Sequence, residues 1–438
     1  MGIHDFTKCF KASRVVKLRD FAGTTVAVDA LGEIWRAALG AKSVTILTDA
    51  EGRPTLHITV ILAMVSEFSR QNIAQIWVFD HSDKEHNPAK LQEYAARGAA
   101  REQASRKIKQ LADFAADNVP TFDIPEEPIK STANLKATDL KSTDLKATDL
   151  KATDLKTSIP PSIDKLNTLH KRAFHVTAEM IEDVIIILNA LGIPWMEAPA
   201  GFEAEAICSQ LNAANVTSWV YSGDTDPIAF NAAVLVRRNV KDKLYYEYTR
   251  ADICEQIKAV TGQAATISDI RKISVILGCD FCARTPGIGP ATVKKKYQSV
   301  TLTEGQTSAL LHYEQTAPNV IDQAKELIAK KPIIAIDLLI KWLVEQKNFN
   351  HTRLLKTLSH WIPEDDKDPK AAKVTKTAKV TKDTKTTKAA KVIKPIQSSG
   401  INLDVTSEVD KKNHSATPTV KPRTLPAKLL ELLAENDE

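Results

Sequence analysis

Two short apolar runs, IPWMEAP (193–199) and SWVYSG (218–223), each lead into an acid-x-acid pair, first Glu203 and Glu205, then Asp224 and Asp226. Runs of this length bounded by turn residues read as buried strands, whereas AEAICSQLNAA between them has helical spacing. In open α/β sheets, ligand sites lie beyond the carboxyl ends of the strands, so both pairs converge on one point. Four carboxylates gathered there repel one another unless cations neutralise them. Donor sets made only of oxygen suit hard ions such as Mg²⁺ or Mn²⁺. The reading from residues alone is a magnesium-dependent phosphodiesterase site.

The rest of the chain supplies a sheet to carry those strands. TTVAVDA (24–30) is a buried-strand pattern that delivers Asp29, and IAQIWVFD (73–80) is a second that delivers Asp80. GEIWRAALGA and HITVILAMVSEFSRQ have helical periodicity, and residues 1–20 read as a short helix followed by a basic connector. Strands alternating with helices predict an α/β fold with a central, mostly parallel sheet and helices on both faces. A long apolar helix over 176–192 closes at Gly192, with Pro194 just beyond. A hairpin of AAVLVRRN and KLYYEYT follows, then helical patterns to about Trp361.

Residues 88–116 form a strong helical pattern on which Lys90, Arg97 and Arg101 share a face. Such a face is commonly just solvated, but this one directly follows the strand ending at Asp80. Farther on, Asp280 follows the apolar stretch ISVILGC and precedes Gly287-Ile288-Gly289, with Lys294, Lys295 and Lys296 close behind. A glycine turn at a helix start exposes backbone N–H groups suited to a DNA phosphate, although GIG is also an ordinary turn.

Two stretches cannot bury a core. Residues 134–156 repeat the pentapeptide pattern KATDL. Five residues rotate each leucine by roughly 140° on a helix, so no apolar stripe forms. The repeat reads as a flexible insertion that lengthens a loop. From Lys367 to Lys394 a lysine recurs at every third residue, giving that stretch a net charge of +8 and leaving the rest of the chain near −3. This reads as a disordered basic tail with non-specific phosphate affinity. AKLLELLAENDE (427–438) reads as a terminal amphipathic helix. The expected division is 1–115, the 116–162 insertion, 163–300, 301–363 and the 364–438 tail. Five cysteines in 438 residues do not suggest a disulfide framework, and Cys279-x-x-Cys282 lacks a second pair to complete a zinc site. No apolar run is long enough to span a bilayer, so no membrane partner is expected.

Taken together, MGI, VAVDA, IWVFD, GIPWMEAPAGFEAEA, YSGDTDPIAF and LGCDFCARTPGIGP resemble the flap endonucleases of the XPG/Rad2 group of structure-specific 5′ nucleases. The resemblance covers roughly residues 1–115 and 163–360. It implies a PIN-like nuclease core, a helical arch and a helix-two-turn-helix that contacts duplex DNA. By position, the family's seven active-site acids fall on Asp29, Asp80, Glu203, Glu205, Asp224, Asp226 and Asp280, which would serve two Mg²⁺ ions, with Mn²⁺ as a substitute. Lys90 and Arg97 match the pair that contacts the scissile phosphate, and Arg101 a further arch position. Gly2, Trp35, Lys42, Gly287, Gly289 and Lys294–Lys296 are the expected substrate-facing residues. Trp35 either stacks on a terminal base or packs in the core.

The resemblance also implies branched or flapped DNA as partner, a K⁺ ion at the helix-two-turn-helix, a monomer, and a nucleus or viral replication compartment as the setting. Two departures stand out. The repeat falls within the arch region, and Ala291-Thr292 replaces the basic pair usual after the glycine turn. No glutamine-led, double-aromatic clamp-binding box is found. The rival readings are a Holliday-junction resolvase, a 5′ exonuclease or an RNA endonuclease of the same fold, a non-catalytic DNA-bridging protein, and an unrelated phosphatase.

Overall fold

The structure is a computed structural model that describes residues 2–39, 48–82, 90–117, 163–239 and 242–362. Lys42, the 134–156 repeat, the lysine tail and the 427–438 helix lie outside the described residues.

Seven strands form one sheet: β1 (Arg14–Val16), β2 (Thr25–Asp29), β3 (Ala74–Phe79), β4 (Trp195–Glu197), β5 (Trp219–Tyr221), β6 (Val234–Arg238) and β7 (Tyr245–Thr249). Their order is β1-β7-β6-β5-β2-β3-β4. From β6 across to β4 the neighbours run parallel, whereas β7 is antiparallel to both β6 and β1. The expected mostly parallel sheet is therefore present. Segments on both sides of the 118–162 stretch contribute to it.

One short element differs from the sequence reading. Within the basic connector, Arg14–Val16 pair with Tyr245–Glu247 as an edge strand. Arg14 reinforces that edge by donating from Nε and Nη2 to Glu247, at 3.0 and 2.8 Å. Three residues are too few for alternation to register, and the edge location leaves one flank open to water.

Strand periodicity sends alternate residues to opposite faces. Val26, Val28, Trp77, Phe79 and Trp219 enter one core with the helices Leu56–Arg70 and Ala178–Ala190. Ala27, Ile76, Val78 and Val220 enter the other with the helices Ala204–Ala213 and Ile267–Leu277. Burying a large apolar side chain stabilises by about 1.5–3 kcal/mol, so fully buried Trp77 and Trp219 are strong anchors for the central strands.

The order matters for function. From β2 the chain moves outward to β3 and β4, then returns to place β5 on the other side of β2 and β6 beyond it. This reversal puts the sheet's switch point at the carboxyl ends of β2 and β5, the place where such sheets bind ligands. The helix Leu91–Asp117 follows β3 and packs against Ile163–Ala173 across the undescribed stretch.

Candidate active site

The carboxyl ends of four adjacent parallel strands carry six of the seven predicted acids. Asp29 is the last residue of β2, and Asp80 directly follows β3. Glu203 and Glu205 lie beyond β4, at the start of the helix Ala204–Ala213. Asp224 sits on the turn after β5, and Asp226 opens the short helix Asp226–Ala229 that follows it. The seventh, Asp280, comes from the turn after the helix Ile267–Leu277. That helix ends at Gly278, whose φ of 84° and ψ of 145° suit glycine almost alone. A Cβ there would lie 2.7 Å from the Arg284 backbone nitrogen, so the close packing also requires glycine.

The seven form one electrostatic network. Burial, then Asp80 and Asp224, pushes the Asp29 carboxyl up to about 7. Burial raises Glu203 to about 7 as well, with Asp80 and Asp280 adding to the rise and Lys90 opposing it. Glu205 is driven well up by burial and by Asp224, Asp226 and Asp29. Asp226 is driven up by burial, Cys279, Asp280 and Asp224. No member of the set stands apart.

Neighbouring donors hold several of these carboxylates in place. Asp29 accepts from the Ser222 hydroxyl at 2.9 Å, and Asp80 from the Ala204 backbone N–H at 2.7 Å. Tyr313 donates to Asp226 Oδ1 at 3.1 Å, whereas buried Asp226 Oδ2 and Glu205 Oε2 receive no hydrogen bond. Arg237 donates from Nε to the Gly223 carbonyl at 3.0 Å, fixing the turn that presents Asp224 and Asp226.

Two cations reach this cluster, Lys90 from just before the helix Leu91–Asp117 and Arg97 from within it. Lys90 Nζ lies 2.5 Å from Glu203 Oε1, 3.8 Å from Asp280 Oδ2 and 5.1 Å from the centre of the Phe281 ring. Burial alone would lower the Lys90 pKa, but Glu203, Glu205 and Asp280 together raise it well above the usual lysine value. It therefore stays an ammonium. Arg97 donates to Asp280 Oδ2 at 3.0 Å and also pairs with Glu93. Burial, then Asp280, raises Glu93 to about 7, making it an additional acid at this site. The sequence pattern hid Glu93, because an acid four residues before an arginine reads as an ordinary surface pair. Tyr313 and Arg237 carried no sequence signal either.

Gly2 lies within the cluster. Its N–H donates to Asp280 Oδ1 at 3.3 Å, and the next N–H, of Ile3, donates to Thr225 Oγ1 at 3.0 Å. With φ at 80°, a Cβ on Gly2 would lie 2.9 Å from Thr225 Oγ1 and 3.3 Å from Asp226 Oδ1.

The other predicted positions are distributed differently. Trp35 is 40 % exposed on the helix Ala30–Leu39, which removes the core-packing alternative. Arg101 is half-buried one turn beyond Arg97. Gly287 is exposed with φ at 74°, and Gly289 begins the turn leading to Val293–Lys296, a helix of only four residues. Lys294 is half-buried and donates to the Cys9 carbonyl at 2.9 Å, so it ties the N-terminal helix Phe6–Cys9 to this turn. Lys295 and Lys296 face outward.

The XPG I-region family profile matches residues 192–280, the span from Gly192 through Asp280. Flap endonuclease 1 of Trypanosoma cruzi is 25 % identical over 370 residues, covering 79 % of each chain. Flap endonuclease 1-A of Sorghum bicolor is 24 % identical over 383 residues, covering 82 % of this chain and 86 % of its own. By these matches the chain is similar to nucleases of the XPG/Rad2 group. Among solved structures, flap endonuclease-1 from Methanococcus jannaschii aligns with a TM-score of 0.47 at 18 % identity, covering 79 % of this chain and 94 % of its own.

Nucleases of the XPG/Rad2 family work with divalent metal ions. The donor set fits such an ion in kind, because it is all oxygen and includes two buried carboxylate oxygens without a hydrogen bond. Among the described residues, however, no three Asp, Glu, His or Cys side chains are drawn together closely enough to grip an ion. The two observations are compatible. Charges act on one another across several ångströms, whereas coordination needs oxygens at about 2.1 Å from a shared Mg²⁺ centre.

Proposed function

We propose that this protein is a Mg²⁺-dependent 5′ nuclease that cleaves flapped or branched DNA near the junction between single and double strands. The observation that carries the reading is the placement of Lys90 and Arg97, at and within the start of the helix Leu91–Asp117, against the acid cluster at the sheet's switch point. Asp29, Asp80, Glu203, Glu205, Asp224, Asp226 and Asp280 would hold two Mg²⁺ ions, with Mn²⁺ able to replace them. Held there, such ions would provide water activation and charge neutralisation at the attacked phosphate.

The chain's own residues do the positioning. Lys90, kept charged by its acidic neighbours, and Arg97 offer donors to a scissile phosphate entering between the helix and the strand ends. Until then both cations rest on Glu203 and Asp280, which they would exchange for phosphate oxygens. Tyr313 restrains Asp226, and Ser222 restrains Asp29, so neither turns away when the substrate arrives. The Phe281 ring beneath Lys90 and the buried strand ends restrict water. Hydrolysis would leave a 5′-phosphate and a 3′-hydroxyl. Exposed Trp35 would stack on an unpaired base, and Lys295 and Lys296 would meet the duplex backbone. Replication and repair in the nucleus are the setting this activity fits.

The deciding measurement uses a 5′-labelled flap and a four-way junction, with and without Mg²⁺. Metal-dependent cleavage that favours the flap is expected. Asp80→Ala and Asp226→Ala should abolish it while flap binding is largely retained, and normal turnover by either variant would overturn the assignment.

A further inference from the structure

The turn that presents Asp280 is enclosed by two thiols that the nuclease chemistry does not use. Cys279 and Cys282 face each other across it, with sulfurs 3.6 Å apart. Their backbones exchange both hydrogen bonds, Cys279 N–H to the Cys282 carbonyl at 3.0 Å and Cys282 N–H to the Cys279 carbonyl at 3.3 Å. The only residues between them are Asp280, which receives Arg97 and Gly2, and Phe281, which lies under Lys90. Cys279 is buried and Cys282 half-buried, and the Cys282 thiol also contacts the Val275 carbonyl at 3.5 Å, so Cys282 is the more exposed residue of the pair. Among the described cysteines, the remaining three, Cys9, Cys208 and Cys254, have no such partner.

We propose that Cys279 and Cys282 are a reversible dithiol site, and that hydroperoxide closes it to a disulfide that suppresses cleavage. Cys282 sulfur attacks one peroxide oxygen and the O–O bond breaks, giving a sulfenic acid and one water, or an alcohol from an organic peroxide. Cys279 sulfur then displaces the sulfenic oxygen, which leaves as water with the Cys279 proton. The sulfur pair loses two electrons and the peroxide gains them; a dithiol reductant reverses the change. Closing the gap from 3.6 Å to a bond of about 2 Å tightens a two-residue loop, and Asp280 and Phe281 move with it. A misplacement of ~1 Å at a reacting centre can cost up to about 100-fold in rate.

The effect on cleavage rests on the nuclease reading above; the disulfide itself does not. The test treats the full chain with hydrogen peroxide, alkylates the remaining thiols and follows the tryptic peptide Ile273–Arg284 by mass, alongside single-turnover flap cleavage. The expected result is a loss of two hydrogens from that peptide, a fall in cleavage of about tenfold or more, and recovery with dithiothreitol. Cys282→Ser should cleave as the reduced protein does and resist peroxide. A peptide that keeps two free thiols, or a disulfide that leaves cleavage unchanged, overturns the proposal. If the reduced protein never cleaves flaps, the nuclease reading fails, and the peptide mass by itself upholds or refutes the dithiol chemistry.

Discussion

Arg97 divides its guanidinium between Glu93 and Asp280, so it arrives at the site already held by two acids. A substrate phosphate must outcompete both, and gains most once negative charge builds on it in the transition state. Arg97→Ala should therefore slow single-turnover flap cleavage by about 100-fold, the usual effect of removing one preorganised donor, and weaken binding by under about fivefold. Equal losses in rate and affinity would show that Arg97 only binds. Gly2 is the second sensitive residue. A methyl group there meets Thr225 and Asp226 in a backbone conformation that costs an L-residue about 1–2 kcal/mol. Gly2→Ala is expected to reduce cleavage by about tenfold with the fold intact by circular dichroism, because the strain falls on the Asp226 turn; wild-type rates would refute this.

At the scale of elements, the acid cluster is assembled by terminations: strands that stop at Asp29 and Phe79, and a helix that stops at Gly278. Gly278→Ala forces a side chain into the Arg284 backbone in a φ/ψ region costing about 1–3 kcal/mol. The expected outcome is a Tm lower by about 2–10 °C in calorimetry, with cleavage impaired through Asp280; an unchanged Tm would contradict the packing described for this turn. The same terminations explain what the sequence made legible. Asp29, Asp80 and Asp224 each end an apolar run, so pattern alone located the strands and their acids. Glu93 escaped because its helical pairing with Arg97 looks like solvent-facing stabilisation. Tyr313 escaped because nothing in its helix, Glu304–Glu314, signals contact with an aspartate 87 residues earlier. The edge strand β1 escaped because three residues make no period. Local pattern reports which residues are buried, whereas long-range partners are fixed only by tertiary packing.

At the scale of the whole molecule, folding buries carboxylates beside one another, and burial first, then their mutual repulsion, raises their pKa values. Asp29 and Glu203, near 7 when folded, bind protons that the unfolded chain has already released. Their contribution to stability is therefore full below about pH 4 and is lost as the pH rises through about 7. His312 works the other way. Burial, then Lys90, lowers it to about 4, so its contribution is full above about pH 6.5 and is lost as the pH falls. A divalent cation bound by the ionised acids isolates the first effect. The rise in Tm on adding Mn²⁺ should be larger at about pH 8 than at about pH 5.5, and a rise independent of pH would mean that these acids do not bind the ion.

The lysine-rich stretch is expected to act separately from the acid cluster. Removing residues 364–438 should leave single-turnover flap cleavage within about twofold at low salt, while reducing the salt dependence of DNA binding. Loss of nearly all DNA binding on that truncation would favour the bridging protein over the nuclease.

Strands on both sides of the 118–162 stretch interleave in one sheet, with β5 returning beside β2. A chain cut within that stretch would leave Asp29, Asp80, Lys90 and Arg97 on one fragment and the remaining acids on the other. Neither fragment alone could hydrolyse a phosphodiester, so turnover would report that the two had found each other, and a nick there would act as a switch worked by fragment concentration.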